Sequence, residues 1–345
     1  MFHGFYVALG VEYYCAGVTL EEVKRRKGQD VTTQEIKTGE IRSGMAALCV
    51  LGGMATLGLT DNFVPYISER GSLWQFHMLR SIMAIGVLGL IVALGFGALR
   101  PKRPIAVLGR SLFQAGAMLI YFGCLSVLPI GVVVAGLFTS PLFVVLISIL
   151  FQGKTVGAFR WAAVGLGFVG ALMVIRPDPA ALNIVSFLPI VAGLLYAVGA
   201  VATRAWCEGE GTLTLTAGFF AMLGVFGAVG VLVMPEAGPI GHAGFVLRAW
   251  APLDASMLFW IAVQGVGSLL GIGLIFRGYQ LGEASHVAVF EYSLLVFASF
   301  WAWVLWAQTV PALGLAGMAL IAVAGIIIAL RSSTPVHLRG PNVPE

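Results

Sequence analysis

The chain alternates between long apolar runs and short polar breaks along most of its length. A helix that crosses a membrane needs about 20 predominantly apolar residues, and ten runs in the sequence meet that requirement. The predicted helices cover 44–66, 73–99, 105–127, 130–151, 158–176, 184–206, 213–234, 255–277, 284–306 and 310–330. The pattern therefore predicts an all-α membrane protein with ten transmembrane helices.

The second half of the chain repeats the pattern of the first. The segment from Pro129 and the segment from Glu283 align at an offset of 154 residues without a gap through one helix and into the next. One extra residue then aligns Arg176 with Arg331. Each half has five helices, an odd number, so the second half enters the membrane in the opposite sense. Chance similarity between apolar segments is the alternative, but inverted repeats with a site between them are typical of secondary transporters.

Lysine and arginine in the loops orient the predicted helices, because these residues are enriched on the cytoplasmic side. One side carries Lys24, Arg25, Arg26, Lys27, Lys37, Arg42, Arg100, Lys102, Arg103, Lys154, Arg160, Arg204, Arg277 and Arg331, and the other carries Arg70, Arg176 and Arg248. We expect a multi-pass protein of the inner (plasma) membrane with both termini in the cytoplasm. Its expected parts are a tail over 1–42, a five-helix repeat over 43–177, a second repeat over 183–331 and a tail over 332–345.

Composition agrees with this reading and excludes several classes of function. Charged residues make up 10% of the chain, against about 25% in soluble domains. The net charge of +4 does not indicate nucleic acid, because the basic residues lie at the ends of apolar runs. The four cysteines have no CxxC spacing, so no metal and no cofactor are expected. The expected partners are the lipid bilayer and a small-molecule substrate, in a monomer or a homodimer.

Six segments resemble one transporter family. They are LTDNF (59–63), WQFHMLRS (74–81), LPIGVVVAGLFTSPLFVVLIS (128–148), GLGFVGALMVIRP (165–177), VFEYSLL (289–295) and GMALIAVAGIII (317–328). In their order and spacing, over about 43–331, the chain resembles the EamA-type transporters of the drug/metabolite transporter superfamily. The resemblance implies two inverted five-helix bundles around a central cavity, and no ATPase. The chain departs from many relatives in the breaks after the fourth and ninth helices, where it has QGKT and WAQT and no acidic residue.

Few ionisable groups lie inside the predicted helices, and such groups are functional candidates because they are costly in a membrane. Glu291 lies eight residues into the ninth helix, about 12 Å from its cytoplasmic end at 1.5 Å per residue. Its repeat counterpart is Leu137, so the acid is specific to one half. A carboxylate that titrates near neutral could couple transport to protons or pair with a cationic substrate. The alternative is a structural acid that is hydrogen-bonded to a neighbouring helix.

Arg80 and Asp61 lie at similar depth near the outer ends of the second and first helices, with His77 close by. One interpretation is an ion pair that locks these helices together. The other makes Arg80 an anchor for a substrate carboxylate or phosphate, because a guanidinium matches planar oxyanions. Arg80 and Glu291 could also pair across the empty cavity.

A polar and aromatic set lies near the same depth and completes the predicted site. These candidate substrate-binding residues are Gln114, Tyr121, Ser140, Tyr196, Gln264, Ser268 and Tyr292, together with Arg80 and Glu291. Some of them could instead hold helices together, since polar groups in membrane helices must find partners. Pro141 lies inside the fourth helix and predicts a kink, either as a hinge for alternating access or as a plain bend.

The leading hypothesis is a secondary transporter, proton-coupled or an exchanger, and not an enzyme. Its substrate would be a small polar or zwitterionic metabolite, such as an amino acid derivative or a vitamin- or nucleoside-like compound. ATP as the driving force is not expected, because GxxxxGK[ST] does not occur in the sequence. The alternatives are a membrane-embedded lipid-modifying enzyme, for which no interfacial His, Asp or Glu cluster is evident, and a structural membrane protein.

Overall fold

The structure is a computed structural model, and it describes residues 28–125, 127–128, 130–153, 156–236 and 242–331. Those ranges are helical without any strand, and they contain ten helices long and apolar enough to cross a membrane. They are α1 (Gly28–Thr60), α2 (Leu73–Ala93), α3 (Pro104–Cys124), α4 (Ile130–Leu137 and Ser140–Leu150), α5 (Ala158–Ile175), α6 (Leu188–Ala205), α7 (Thr212–Val233), α8 (Ala255–Leu281), α9 (Ala284–Val287 and Ser293–Trp306) and α10 (Ala312–Arg331). The prediction of an all-α membrane protein with ten helices is confirmed for this part of the chain.

The bounds of the helices differ from the sequence prediction at several places. The predicted tail over 1–42 begins outside the described residues, and its part from Gly28 onward belongs to α1. The tail over 332–345 lies outside the described residues. The predicted loop near 235–254 contains a short helix, His242–Leu247.

Three of the predicted helices are interrupted in the structure, and the sequence predicted a kink in one of them, at Pro141. A 3-10 turn, Asp61–Phe63, follows α1 and leads into a short helix, Val64–Arg70. The two segments of α4 are separated just before Pro141, which has no N–H to donate to the preceding turn. The two segments of α9 are joined by a 3-10 turn, Ala288–Tyr292, which holds Glu291. At the offset of 154 residues, the break in α4 falls opposite this turn in α9.

The helices pack in a pattern that is the same for both halves. Helix α1 packs against α8 and α9, while α6 packs against α3 and α4. Helix α2 packs against α7, and α5 against α10. Exchanging each helix for the one five places away leaves this set of pairs unchanged, as an inverted repeat requires. The repeat itself remains a prediction.

Glycines allow two of these helix pairs to approach closely. A Cβ on Gly170 in α5 would lie 2.6 Å from the carbonyl oxygen of Gly317 in α10. A Cβ on Gly230 in α7 would lie 1.9 Å from the ring of Trp74 in α2. Close backbone packing is a main source of helix association in lipid, where burial of apolar surface contributes little.

Hydrogen bonds between loops hold both ends of the bundle together. At one end, called the Arg70 end, the guanidinium of Arg248 donates to the carbonyls of Arg70 and Gly71, both at 3.0 Å. At the other, called the Glu210 end, the carboxylate of Glu210 accepts from the backbone N–H groups of Lys102 and Arg103. A central cavity lies between these two ends.

Candidate functional site

A cavity of about 100 Å³ lies in the middle of the bundle. Its walls come from every helix except α5 and α10. The polar lining residues are Asp61, Arg80, Gln114, Tyr121, Ser140, Tyr196, Gln264, Ser268 and Glu291, and the apolar ones are Met54, Leu57, Met118, Phe122, Leu137, Phe138, Phe219, Ile272, Ile275, Phe276 and Leu294. The structure thus brings together eight of the nine residues that the sequence proposed for substrate binding.

Arg80 is the main cationic group at this cavity, and it is 2% exposed. Its Nη1 donates to Oε1 of Gln264 at 3.0 Å, and its Nη2 donates to Nδ1 of His77 at 3.2 Å. The guanidinium carbon also lies 4.8 Å from the ring centre of Phe76 and 5.5 Å from that of Phe122. Its Nε has no partner among the described residues. The charge is therefore held by neutral groups and aromatic faces, with donor capacity left over.

Asp61 is connected to Arg80 through the side chain of Gln264. The Nε2 of Gln264 donates to Oδ1 of Asp61 at 3.2 Å, while its Oε1 accepts from Arg80 and, at 2.8 Å, from the hydroxyl of Ser268. The direct pair of Asp61 with Arg80 that the sequence suggested is not formed. The amide fixes the relative positions of α1, α2 and α8 instead.

Glu291 sits in the 3-10 turn of α9 and is 4% exposed. Its Oε1 accepts a hydrogen bond from Tyr196 in α6 at 2.8 Å and another from Tyr279 in α8 at 2.9 Å. Two phenol donors suit a carboxylate acceptor. The protonation state of Glu291 therefore bears on how α9 is held to α6 and α8.

The buried charged groups of the cavity form no direct ion pair. In the part of the chain that the structure describes, ion pairs join Arg70 to Asp254 and Arg160 to Glu283. The proposed pair of Arg80 with Glu291 is not formed. Charges without a direct counter-ion are costly inside a membrane, so these side chains are candidates for binding an ionic solute or a proton.

Three other predicted residues lie outside the cavity lining. The ring of Tyr292 stacks on Phe138 at 5.7 Å between centres and fills the space beside Gly167 in α5. His77 is fully buried behind Arg80. Pro141 is buried in the first turn of the second α4 segment, next to Ser140, which does line the cavity. These three residues lie next to residues of the cavity wall but do not line the cavity.

Sequence reasoning missed Arg110 in α3, a charge buried inside a helix. It is completely buried, and its Nε donates to Thr203 Oγ1 at 2.9 Å and its Nη1 to the carbonyl of Leu215 at 3.0 Å. The signal was available, because Arg110 lies inside the third apolar run of the sequence. Phe276, which lines the cavity, stacks on its guanidinium with 3.5 Å between the guanidinium carbon and the ring centre.

The site has the character of a binding cavity for an organic solute. No group of three or more His, Cys, Asp or Glu side chains that could hold a metal occurs among the described residues. Aromatic and aliphatic side chains form most of the wall, and a few amides, hydroxyls and charges converge on it. Ligand sites commonly combine such walls with a small number of orienting polar groups.

Comparison with known protein families places the first half of the chain among transporters. Residues 44–176 match the model of the EamA-like transporter family. A solved crystal structure superimposes with a TM-score of 0.62 at 19% identity, over 86% of this chain and 99% of the other. At that identity the superposition bears on the fold alone.

Several curated proteins are similar to this chain over about two thirds of its length. A riboflavin transporter of Rhizobium johnstonii is 27% identical over 66% of this chain and 70% of its own. The pseudopaline exporter CntI of Pseudomonas aeruginosa is 29% identical over 64% of this chain and 74% of its own. An S-adenosylmethionine uptake transporter of Rickettsia bellii is 20% identical over 76% and 84%. All three are named as transporters or exporters, and not as enzymes.

Proposed function

Because the chain belongs to the EamA-type transporters of the drug/metabolite transporter superfamily, we propose that it is a secondary active transporter that works by alternating access. It moves a small polar or zwitterionic metabolite across the inner (plasma) membrane, with both termini in the cytoplasm. The observation that carries this proposal is the central cavity, where buried Arg80 and Glu291 line the same space without forming an ion pair.

The chemistry of the cavity wall supports a metabolite with a flat apolar part and at least one charged group. Arg80 offers a guanidinium to a carboxylate or phosphate, and its Nε is unpartnered among the described residues. The Nε2 of Gln114 likewise has no partner there, so the wall holds a second unused donor. Phe122, Phe138 and Phe276 offer apolar and aromatic surface for a ring. The relatives named for riboflavin, pseudopaline and S-adenosylmethionine also handle small metabolites.

Glu291 is our candidate for coupling transport to protons. As a carboxylate it accepts from Tyr196 and Tyr279 and so holds α9 to α6 and α8. As a neutral acid it is a weaker acceptor and carries a donor of its own, so these helices are held less strongly. A proton that arrives on Glu291 would favour rearrangement of the cavity and would be released on the other side. Exchange of one solute for another is the alternative mode.

Movement of one five-helix half against the other would provide alternating access. The interruptions in α4 and α9 lie at equivalent positions of the proposed repeat, beside the cavity. Interrupted helices allow a local change of direction without loss of hydrogen bonds along a whole helix. We propose that Pro141 and the turn around Glu291 are the corresponding hinges.

Uptake and efflux profiling in a host deficient in metabolite transport tests this function. The variants Arg80→Ala and Glu291→Gln are compared with Glu283→Gln, a matched control nearby in the chain whose carboxylate pairs with Arg160 at 2.8 Å. We expect loss of transport in Arg80→Ala, loss of pH dependence in Glu291→Gln, and normal behaviour in Glu283→Gln. Normal transport with normal pH dependence in both cavity variants would overturn the site assignment.

A further inference from the structure

Arg110 is a buried cation outside the lining of the cavity. It is 0% exposed, and two of its nitrogens donate to Thr203 and to the carbonyl of Leu215. Its third nitrogen, Nη2, has no partner among the described residues. It takes part in no ion pair within the described chain. The guanidinium is therefore fixed in position by two hydrogen bonds, and its Nη2 is available to donate to an anion.

The helix register places Arg110 on the same face of α3 as the cavity lining. Gln114, Met118 and Tyr121 line the cavity, and Arg110 precedes Gln114 by four residues. Residues that are three or four positions apart lie on one face of a helix. Arg110 thus extends the lining by one turn toward the Glu210 end.

The facing helix, α6, continues the cavity in the same direction. Tyr196 lines the cavity and binds Glu291, Gly199 lies against the side chain of Gln114, and Thr203 accepts from Arg110. The spacing of these three positions, three and then four residues, again defines one helix face. The two helix faces therefore meet next to the cavity, and the ring of Phe276 touches both the cavity and the guanidinium of Arg110.

We propose that Arg110 is a second anion-binding position on the transport path, which takes the carboxylate or phosphate of the solute from Arg80 when the ring of Phe276 turns aside. This inference rests on the proposed transport function and narrows its substrate class to organic anions and zwitterions. Arg80 lies seven residues from the start of α2 at the Arg70 end, and Arg110 lies six residues from the start of α3 at the Glu210 end. The two arginines would bind the same anionic group in turn as access changes from one end to the other.

A purely structural role explains Arg110 less well. Two neutral hydrogen bonds of this kind need only a neutral donor, such as a glutamine amide. A buried charge without a counter-ion is costly. Binding of the anionic group of the solute would offset this cost during each transport cycle. When no solute is bound, the cation–π contact with the ring of Phe276 offsets part of it.

Reagents of opposite charge test this proposal without knowledge of the substrate. The full chain is prepared with its four cysteines replaced by serine and with Phe276→Cys, and it is reconstituted in vesicles. The probes are anionic sulfonatoethyl and cationic trimethylammonioethyl methanethiosulfonate, with rates normalised to those with free cysteine. The matched variants are Arg110→Met and Arg100→Met, the latter removing an exposed positive charge in the loop before α3. Met118→Cys in the cavity wall reports on water access to the cavity itself.

We expect the anionic reagent to react faster at position 276 by on the order of tenfold or more, because one unit charge acts at short range in a poorly screened site. Arg110→Met should abolish this preference, and Arg100→Met should leave it unchanged. Equal rates for both reagents, or no reaction at position 276 while position 118 reacts, would overturn the role of Arg110 and leave the transport proposal intact. No reaction at either position would overturn both.

Discussion

Replacing Arg80 by methionine separates a functional role of this residue from a structural one. The change removes the cation but keeps an unbranched side chain among the rings of Phe76, Phe122 and Phe220, which surround the guanidinium at 4.8 to 5.8 Å. The Oε1 of Gln264 would still accept from the hydroxyl of Ser268 at 2.8 Å. The Nδ1 of the buried His77 is the acceptor that loses its partner.

The expected change in stability follows from opposing contributions. The variant loses the hydrogen bonds of Arg80 to Gln264 at 3.0 Å and to His77 at 3.2 Å, and a longer one to Ser268 at 3.5 Å. Bonds of a charged group with good geometry are worth about 1.5–3 kcal/mol each. In return, the protein no longer buries a cation without an ion pair, which costs several kcal/mol. The methionine sulfur adds about 0.3–1.5 kcal/mol against aromatic rings. We expect the free energy of unfolding to change by less than about 2 kcal/mol, while transport is lost.

Denaturant unfolding in mixed micelles, with transport per folded molecule in vesicles, measures both effects. The matched control is Gln75→Leu, because the buried Gln75 amide donates to the carbonyl of Ala251 at 2.9 Å and accepts from its N–H at 3.2 Å. This control should lose about 2–6 kcal/mol and keep transport per folded molecule. If Arg80→Met were instead destabilised by about 3–5 kcal/mol, as when a buried ion pair is broken, or still transported normally, the reasoning would be refuted.

Two further predictions concern the packing of the bundle. In a thermal unfolding assay, Gly230→Ala should destabilise the protein by about 1–3 kcal/mol, because the new Cβ would overlap the ring of Trp74. The control Gly86→Ala should be neutral in that assay, because nothing lies within 4 Å of the Cβ it would add. Equal effects of the two substitutions would contradict the argument. Glu210→Ala should lower the free energy of unfolding by about 1–3 kcal/mol, because it leaves two backbone N–H groups just before α3 without their acceptor. An unchanged denaturant midpoint would count against a role in holding that end together.

The helix count and most of the polar residues that line the cavity could be predicted from the sequence for a clear physical reason. The bilayer requires long apolar helices and makes buried charges rare, so both stand out in a single chain. Eight of the nine proposed binding residues lie around one cavity because they share similar depth in helices that face each other. The depth of a residue in the membrane can be inferred from its position along an apolar run.

Rotation of the side chains and the breaks after α1 and within α9 could not be predicted. Tyr292 follows Glu291 directly, but in the 3-10 turn its ring points to Gly167 and Phe138 instead of the cavity. The link between Asp61 and Arg80 depends on Gln264, which lies about 200 residues away in sequence. Such contacts are set by tertiary packing, which a single sequence does not reveal.

The most direct test of the central claim is solute accumulation in vesicles that contain only the purified protein. Vesicles with an imposed pH gradient are incubated with a cell metabolite extract, and the solutes inside are identified by mass spectrometry. We predict that at least one small polar or anionic metabolite accumulates with the native chain, that Arg80→Met abolishes this accumulation, and that Glu291→Gln makes it independent of the gradient. A solute profile identical to that of protein-free vesicles, or one that neither variant changes, would contradict the account.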